Sequence, residues 1–336
     1  MPLATVVVPA GGARASLGVL LEALSRQTVP RDRFEVVVVV NPPDDETVRL
    51  VERFDSTLQV VALSKPRRGR AAACNAGVAL AGGELVVFLD DDMCPVEKWL
   101  ECHLERHAAS SGIVALGAVP VRLDAASRPL ERWVADRFAS HHKRLAEAGQ
   151  VFHLRDFFSG NASVPREVFT AVGGFDEEYA EYGHEDLELC LRLRGAGVGP
   201  VFEPRAIAHQ RYCKGFGDFS RDMRAAGGTA VLLARKHPEA ASAVVEWRNG
   251  PPAWEWLKRR LLAGRRRRRA VPAIIRALGA VLERVLPSRT TLFYSLAADY
   301  FFWLGVRERD PRANSGILFG RGGEKEAAPL ADPALE

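Results

Sequence analysis

Cysteine is scarce in this sequence, and long apolar runs are absent. The five cysteines are dispersed, odd in number and form no C-x-x-C pair, which argues against a disulfide framework and a structural zinc site. No uninterrupted apolar stretch reaches the roughly 18 residues that a membrane-spanning helix needs. The beginning of the chain lacks the basic and apolar regions of a signal peptide, since residues 3–9 have the pattern of a strand. We therefore expect a reduced, cytoplasmic protein.

An excess of charge of one sign is nearly lacking as well. The formal net charge is +4 over 336 residues, so the bulk charge gives no reason to expect a nucleic-acid partner. The charges are nevertheless unevenly placed, with acidic clusters at residues 90–92 and 176–188 and an unbroken run of arginines at 265–269. No aromatic residues are interleaved among these arginines, and we expect no binding of nucleic acid.

The first half of the chain alternates strand patterns with helix patterns. The predicted strands cover residues 5–8, 34–40, 58–63 and 84–89, and the predicted helices cover 17–24, 46–54 and 70–80. Strands that are apolar throughout and separated by helices are buried on both faces, which predicts an α/β fold with a mostly parallel sheet flanked by helices. Ligands of such sheets bind at the carboxyl ends of the strands. Here those ends carry Pro9-Ala10-Gly11-Gly12, Asn41-Pro42-Pro43-Asp44 and Asp90-Asp91-Asp92.

The second half is mixed and then becomes helical. We predict strands over 113–121 and 198–202, helices over 130–148 and 186–194, and a loop over 157–166. From residue 218 onward the pattern is helical. The chain is thus divided into a first domain over 1–217, a helical extension over 218–310, and a tail over 311–336 whose composition predicts disorder.

Three consecutive carboxylates, Asp90, Asp91 and Asp92, follow a buried strand pattern. Adjacent carboxylates repel one another, and they persist more readily when a divalent cation or several backbone amides neutralise them. Oxygen ligands suit Mg²⁺ or Mn²⁺, and these ions usually keep substrate phosphates as further ligands. The triplet therefore indicates a metal and phosphate site, with a solvated acidic turn or helix cap as the alternative.

A second acidic cluster lies in the sequence Gly183-His184-Glu185-Asp186-Leu187-Glu188-Leu189. Carboxylates at the start of a helix are stabilised by the helix dipole, so this cluster has a purely structural explanation. The functional alternative is a general base that removes a proton from an attacking hydroxyl group.

Several short motifs occur in a characteristic order over roughly residues 3–215. They are Thr5-Val6-Val7-Val8-Pro9, Gln27-Thr28, Glu35-Val36-Val37-Val38-Val39, Asn75-Ala76-Gly77, Gly83-Glu84, Leu89-Asp90-Asp91-Asp92, Gly173-Gly174-Phe175-Asp176-Glu177, Glu185-Asp186 and Arg192-Leu193. In this order they resemble the family 2 inverting glycosyltransferases. The resemblance implies a GT-A fold with a Rossmann-like sheet, a nucleotide-diphospho-sugar donor, an acceptor saccharide that is lipid-linked or a small molecule, and inversion in one step.

The resemblance also implies roles for individual residues. Asp92 matches the metal ligand at the end of the D-x-D-like motif, and Asp90 matches the position that faces the ribose and the metal. His209 resembles a histidine that completes the metal shell in several members. Asp186 matches the catalytic base of the E-D motif, with Glu185 beside it as the second candidate.

The nucleotide end of the site is implied in the same way. Pro9 and Ala10 match the loop that closes over the base and the ribose, and Asp91 belongs with them as a nucleotide-binding residue. Asn161 stands where members line the junction of donor and acceptor. An Asx turn or a cap is the alternative for this asparagine.

Two departures from the family pattern bear on the donor. An acidic residue often reads the base after the second strand, whereas this chain has Asn41 and, three residues on, Asp44. Asparagine offers both a hydrogen-bond donor and an acceptor, so the base stays open, with uracil as the first choice. An arginine often precedes the Asn-Ala-Gly motif, where this chain has Cys74. Arg70 is the candidate to replace that phosphate contact.

Two histidine pairs invite a metal-binding interpretation but have a simpler one. His103 and His107 share a helix face at a spacing that zinc accepts, yet no glutamate completes the metalloprotease pattern. We interpret this pair, and His141 with His142, as surface residues.

Two other classes of protein remain as alternatives. A sugar-phosphate nucleotidylyltransferase would share a nucleotide-binding α/β half, but Gly11-Gly12-Ala13-Arg14 is only a faint echo of its opening signature. A non-catalytic protein that binds a membrane surface would use the arginines at 265–269.

Membrane contact is expected in addition to catalysis. Trp254 and Trp256 precede the arginines, an amphipathic pattern covers 273–286, and an aromatic stretch interrupted by Asp299 covers 293–303. A helix lying among lipid headgroups needs such a combination of apolar face, interfacial aromatics and basic residues. We predict contact with an anionic membrane at its inner face, the alternatives being packing on the first domain or in a dimer.

Overall fold

The computed structural model describes residues 2–11, 14–56, 58–64, 69–147, 152–245, 251–286 and 290–310. The tail predicted to be disordered, residues 311–336, lies outside the described residues, as do Gly12 and Ala13.

Within the described residues, eight strands form one sheet. The strands are β1 (Ala4–Ala10), β2 (Phe34–Val40), β3 (Val60–Ser64), β4 (Leu85–Leu89), β5 (Met93–Pro95), β6 (Ile113–Ala118), β7 (Asn161–Pro165) and β8 (Gly199–Gln210). Their order is β3-β2-β1-β4-β7-β6-β8-β5. The pairs β1–β2, β1–β4, β2–β3 and β6–β8 are parallel, whereas β7 runs antiparallel to both of its neighbours. The prediction of a mostly parallel sheet is confirmed.

Helices cover both faces of this sheet and extend beyond it. They are α1 (Arg14–Ser25), α2 (Asp45–Glu52), α3 (Arg70–Val78), α4 (Trp99–Ala109), α5 (Pro129–Leu145), α6 (Arg166–Ala171), α7 (Glu185–Gly195), α8 (Phe216–Lys236), α9 (Ala241–Val245), α10 (Pro252–Leu262), α11 (Arg265–Val285) and α12 (Thr291–Arg309). Every residue of β4 is buried, and β1 and β2 are buried except for one residue each. Burial on both faces explains why these strands show no polar alternation.

The loop predicted over residues 157–166 is wrong in its second half. Residues 161–165 form β7, in which Val164 pairs with Val86 of β4 and Ser163 pairs with Ala115 of β6. The segment is polar at its start, which suggested a loop, but its pairing partners lie far away in sequence. The last predicted strand is also longer than expected, because β8 continues to Gln210.

Two helices of the C-terminal extension, α8 and α12, pack closely against each other, and both share an apolar cluster with Trp133 of α5. A Cβ atom on Gly227 of α8 would lie 1.9 Å from the carbonyl oxygen of Phe302, and one on Gly305 of α12 would lie 1.8 Å from that of Arg224. The two helix backbones therefore approach more closely than any side chain at these glycines would allow.

This packing buries the aromatic stretch that we expected at a membrane. Tyr294, Tyr300, Phe301 and Phe302 are fully buried, and Trp303 is 7% exposed. None of the described helices is long and apolar enough to cross a bilayer.

Candidate functional site

The carboxyl ends of β1, β2 and β4 meet at one edge of the sheet, as the sequence predicts. The amide of Asn41 donates to the carbonyl oxygen of Ala10 at 3.0 Å, and the amide of Gly11 donates to Oδ2 of Asp91 at 2.9 Å. Pro9 is half-buried at this edge and Ala10 is buried. The three segments singled out at the strand ends thus form one continuous surface.

The acidic triplet at this edge is electrostatically crowded. Burial, reinforced by the charge of Asp90, raises the pKa of Asp91 to about 6 against the opposing hydrogen bond from Gly11. Burial and the charge of Asp90 also raise the pKa of Asp92 to about 7. Gln210 Nε2 donates to Asp92 Oδ2 at 3.0 Å and favours its charged form. A cation bound here would stabilise the ionised carboxylates, so the donor set fits a hard divalent ion.

The third predicted metal ligand, His209, lies next to this set on β8. Gln210, rather than His209, is the β8 residue that contacts Asp92, and successive side chains of a strand point to opposite faces. Burial, with a contribution from Arg122, lowers the pKa of His209. In the part of the chain that the structure describes, no group of three or more His, Cys, Asp and Glu side chains is placed to hold a metal ion. The metal roles of Asp90, Asp92 and His209 stay predictions.

Arg70, at the start of α3, links the two acidic clusters. Its Nε donates to Asp90 Oδ1 at 2.8 Å, and its two terminal nitrogens donate to Ser159 at 2.8 and 2.9 Å. One terminal nitrogen also lies 4.0 Å from Glu185 Oε1. Burial alone would lower the pKa of Arg70, but these carboxylates, Asp90 above all, raise it. The guanidinium is therefore a permanent cation between the clusters, and its predicted contact with phosphate stays a prediction.

The second cluster opens α7, after His184 in the left-handed conformation at φ 68°. Burial, together with the charge of Glu185, raises the pKa of Asp186 to about 7, although Arg70 opposes the shift. Burial likewise raises the pKa of Glu185. Asp186 Oδ1 accepts from the amide of Leu187 at 2.8 Å, which orients the carboxylate. A half-buried carboxylate that titrates near neutral pH suits a general base.

The candidate base-reading residues follow β2. Asn41 Nδ2 donates to the carbonyl oxygen of Gly69 at 3.3 Å, so this side chain also steadies the turn before Arg70. The carboxylate of Asp44 accepts a hydrogen bond from the Thr47 hydroxyl, which lowers the pKa of Asp44. The roles of Asn41 and Asp44 toward a nucleotide stay predictions.

Asn161 does not line the junction of donor and acceptor. Its side chain is fully buried, and its Oδ1 accepts from Trp99 Nε1 at 2.7 Å. Its Nδ2 donates to the carbonyl oxygens of Ala118 and Ala206 at 3.1 and 2.9 Å. The prediction for Asn161 is therefore wrong, because this amide holds β6, β7 and β8 together inside the core.

The interpretation of His103 and His107 as surface residues is also wrong. His103 is fully buried and its Nδ1 lies 2.8 Å from Ser163 Oγ, while His107 Nε2 lies 2.9 Å from the same oxygen. Burial lowers the pKa of both to about 4. His142 is half-buried and accepts from the amide of Val119 at 3.2 Å. His103, His107 and His142 are therefore neutral groups that form hydrogen bonds inside the protein.

Four residues around the site carry no signal in the sequence that would have singled them out. Ser159 anchors Arg70, Gln210 contacts Asp92, and the charge of Lys214 acts on Asp91 and Asp92. Tyr182 lies four residues before the candidate base, and Lys214 Nζ lies 4.9 Å from the centre of its ring. The sequence shows only that each of them lies a few positions from a predicted site residue.

Comparison with known proteins agrees with this geometry. The family model described as glycosyl transferase family 2 matches residues 5–173, half of the chain, and a model described as N-terminal domain of galactosyltransferase matches residues 140–217. The chain belongs to glycosyl transferase family 2.

Among its relatives is validoxylamine A glucosyltransferase of Streptomyces hygroscopicus subsp. jinggangensis, 28% identical over 222 residues, which cover 59% of this chain and 53% of the relative. Pre-mycofactocin glycosyltransferase of Mycobacterium tuberculosis is 28% identical over 256 residues, which cover 74% and 51%. The chain thus spans about half the length of these relatives.

Solved structures with the same architecture include mannosyltransferase PcManGT from Pyrobaculum calidifontis, in complex with GDP-Man and Mn²⁺. It has a TM-score of 0.59 and 21% identity, and the match covers 93% of this chain and 88% of that one. S. aureus TarS 1-349 in complex with UDP-GlcNAc has a TM-score of 0.52 and 19% identity, with 93% and 92% covered. The fold is GT-A, as the sequence predicts.

Proposed function

We propose that this chain transfers a sugar from a nucleotide-diphospho-sugar to an acceptor hydroxyl group, by direct displacement with inversion at the anomeric carbon. The observation that carries the proposal is the pair of acidic clusters joined by one arginine, with Arg70 2.8 Å from Asp90 and 4.0 Å from Glu185. One cluster lies at the strand ends, where the donor phosphates belong. The other offers a carboxylate able to take a proton.

Each cluster has a separate task. Asp186, with a pKa of about 7, accepts the proton of the attacking hydroxyl, and Glu185 is the alternative base. Asp90 and Asp92 would hold Mn²⁺ or Mg²⁺, the remaining ligands coming from substrate oxygens or water. His209 is the predicted third ligand, and it would have to turn toward Asp92 from the face of β8 opposite Gln210. When bound, such an ion neutralises the charge that develops on the diphosphate leaving group. Direct displacement leaves the protein mainly the task of positioning the two substrates.

The donor is the finer part of the proposal. Pro9, Ala10 and Asp91 form the edge on which a nucleotide would lie, and Asn41 and Asp44 stand beyond it. A UDP-sugar is our first choice. Solved proteins of this fold bear UDP-GlcNAc in one case and GDP-Man in another, so both bases belong in the test.

The test is donor turnover by the purified chain. UDP-glucose, UDP-N-acetylglucosamine and GDP-mannose are each added with and without Mn²⁺, and thermal stability and release of nucleoside diphosphate are measured. We expect one donor to raise the melting temperature, more strongly with Mn²⁺, because a ligand of the native state stabilises it. No stabilisation and no release with any donor would contradict the proposal. Pyrophosphate release from a sugar phosphate and a nucleoside triphosphate would favour the nucleotidylyltransferase.

We further propose that α10 and α11 contact an anionic membrane surface. Ile274, Leu278, Val281 and Val285 recur at helical spacing on α11 and are 48–65% exposed. Trp256 of α10 is 56% exposed, and the arginines at 266–269 lie in the first turns of α11. An exposed apolar row beside a basic run is what a helix in the headgroup region requires. The buried residues of α12 are not part of this surface.

A further inference from the structure

A cavity of about 600 Å³ lies between α5 of the first domain and helices α8, α10 and α12 of the C-terminal extension. Its walls are largely apolar and aromatic, with side chains from α5, α8, α10 and α12 that include Trp133, Phe138, Phe219, Met223, Trp254 and Leu296. Ligand sites in proteins are mostly apolar clefts of roughly 300–1,000 Å³ with a few polar groups. The size and the lining of this cavity are those of a small-molecule site.

One end of the cavity lies beside both acidic clusters. Tyr182 and Tyr212 both line it, and Tyr182 stands four residues before Asp186. Arg211, next to Tyr212, donates its amide proton to the carbonyl oxygen of Asp92 at 2.8 Å. A ligand in the cavity would therefore reach toward the base and the predicted metal site.

The polar groups of the cavity are few and fixed. Lys214 is paired with Asp222 at 2.6 Å and lies 4.9 Å from the centre of the Tyr182 ring. Trp254 Nε1 donates to Asp299 Oδ2 at 2.7 Å, which fixes one aromatic wall. Asp299, the residue that interrupts the aromatic stretch of the sequence, thus orients a tryptophan. The cavity combines charged groups such as Lys214 and Asp222 with a mainly apolar and aromatic lining, which suits an amphiphilic ligand.

We propose that this cavity is the acceptor site, and that the acceptor carries an apolar group, either an alkyl or isoprenoid chain or an aryl ring, next to the hydroxyl that receives the sugar. The proposal rests on the proposed function and names its acceptor class. The apolar group occupies the space between α5, α8 and α12, and the hydroxyl lies toward Asp186. The C-terminal extension then has a direct part in catalysis, because α10 and α12 supply walls of the site.

The test uses glycosides that differ only in the group beside the sugar. Octyl β-D-glucopyranoside below its micelle concentration, 4-nitrophenyl β-D-glucopyranoside and methyl β-D-glucopyranoside are titrated into the full chain by calorimetry. We expect the octyl or the nitrophenyl compound to bind at least tenfold more tightly than the methyl compound, and the tighter of the two identifies the alkyl or the aryl class. Equal affinity of all three would overturn the proposal.

Variants decide whether the ligand occupies this cavity. Leu296→Trp fills it and should abolish the preference for the apolar glycoside, whereas Thr291→Trp, on an exposed position of the same helix that does not line it, should leave the preference unchanged. If Leu296→Trp does not fold, Leu292→Asp replaces it, because Leu292 lines the cavity and is 68% exposed. We expect Leu292→Asp to weaken the octyl glycoside at least fivefold. A preference that survives both cavity variants would overturn the proposal.

Donor turnover is measured on the same samples to separate the two proposals. Release of nucleoside diphosphate that persists while no apolar glycoside is preferred would reject this acceptor site and leave the proposed function standing. An apolar preference without any donor turnover would reject the proposed function, and with it the cavity's role as an acceptor site. Val281→Asp, on the exposed face of α11, should keep the octyl preference. Loss of the octyl preference in Val281→Asp would instead place the ligand on the exposed face of α11.

Discussion

Arg70 donates its Nε proton to Asp90 Oδ1 at 2.8 Å, across 20 positions of the chain. This contact joins the start of α3 to the acidic edge of the sheet, and the other end of the same guanidinium faces Glu185. The carboxylates that would serve the donor and the acceptor therefore share one counter-ion. A change in the charge of either cluster therefore alters the surroundings of Arg70.

Asp92→Asn should reduce Mn²⁺-supported transfer by orders of magnitude while leaving the fold intact. The side chain lies half-buried at a strand end, and its pKa is already raised to about 7, so the neutral amide costs the fold little. Transfer is measured over a range of Mn²⁺ concentrations, with the exposed Asp55→Asn as the control. Near-normal activity of Asp92→Asn at every concentration would show that the triplet is not the metal site.

Asp186→Asn should abolish sugar transfer and leave donor affinity within a few-fold of the original. The base acts on the acceptor, so the loss belongs to the chemical step rather than to donor binding. Donor affinity is measured by calorimetry beside the transfer rate. Glu185→Gln is the matched variant, and if it loses transfer while Asp186→Asn retains it, Glu185 is the base.

The pH dependence of transfer should show an acidic limb near pH 7. The pKa of Asp186 is about 7 in the folded chain, and its protonated form is too weakly basic to accept the proton of the acceptor hydroxyl. Activity therefore falls as the pH drops below about 7. In the unfolded chain this carboxyl has its ordinary pKa of about 4. The folded chain therefore loses stability as the pH rises from about 4 to about 7, and the loss levels off above that pH.

The matching stability measurement is a melting curve at pH 6 and pH 8. Asp186→Asn should gain in melting temperature over the unmodified chain at pH 8 and show less gain at pH 6. The pH dependence of the transfer rate is measured at saturating Mn²⁺ and donor, so that titration of the predicted metal ligands does not contribute to the profile. A flat rate profile between pH 5.5 and 8 under these conditions would contradict a base with this pKa.

Asn41→Ala should weaken nucleoside diphosphate binding as much as binding of the full donor, if Asn41 reads the base. The side chain follows β2, and its Nδ2 donates to the carbonyl oxygen of Gly69 at 3.3 Å. Affinities for UDP, GDP and the matching donor are compared by calorimetry. Unchanged nucleotide affinity would move base recognition to other residues, such as Arg70 or the Pro9 loop.

Membrane contact is tested with point variants, because removing α12 would take away part of the core. Leu278→Asp and Val281→Asp place charges in the exposed row of α11 and should abolish sedimentation with anionic vesicles. Each arginine near an anionic surface contributes about 1 kcal/mol, less at high salt, so binding of the unmodified chain should fall with salt and with neutral lipid. Equal, negligible sedimentation of the unmodified chain with both kinds of vesicle would refute the membrane proposal.

The sequence predicts the parallel half of the sheet well because its signal is local. β4 is apolar throughout and β2 is apolar except for Glu35, and that pattern indicates burial on both faces. β7 was missed because Ser159-Gly160-Asn161 reads as a loop, whereas its strand is defined by pairing with β4 and β6. The acidic residues were predicted at the right edge for the same local reason.

What the sequence could not provide is the distance between remote segments. Arg70 was expected at a phosphate, and nothing local shows that it lies between Asp90 and Glu185. Asn161 was expected at the ligand, but contacts from α4, β6 and β8 bury it. The aromatic stretch of α12 looks interfacial by composition, and its burial depends on a close approach to α8 that only the fold reveals.

That close approach also determines the width of the cavity between α8 and α12. Gly227 and Gly305 allow the backbones of α8 and α12 to touch, and both helices supply walls of the cavity described above. Any larger residue at either glycine must move α12 outward and widen the space between the helices. Substitutions at these two glycines, which do not line the cavity, would therefore change its width without altering the residues proposed to carry out the chemistry.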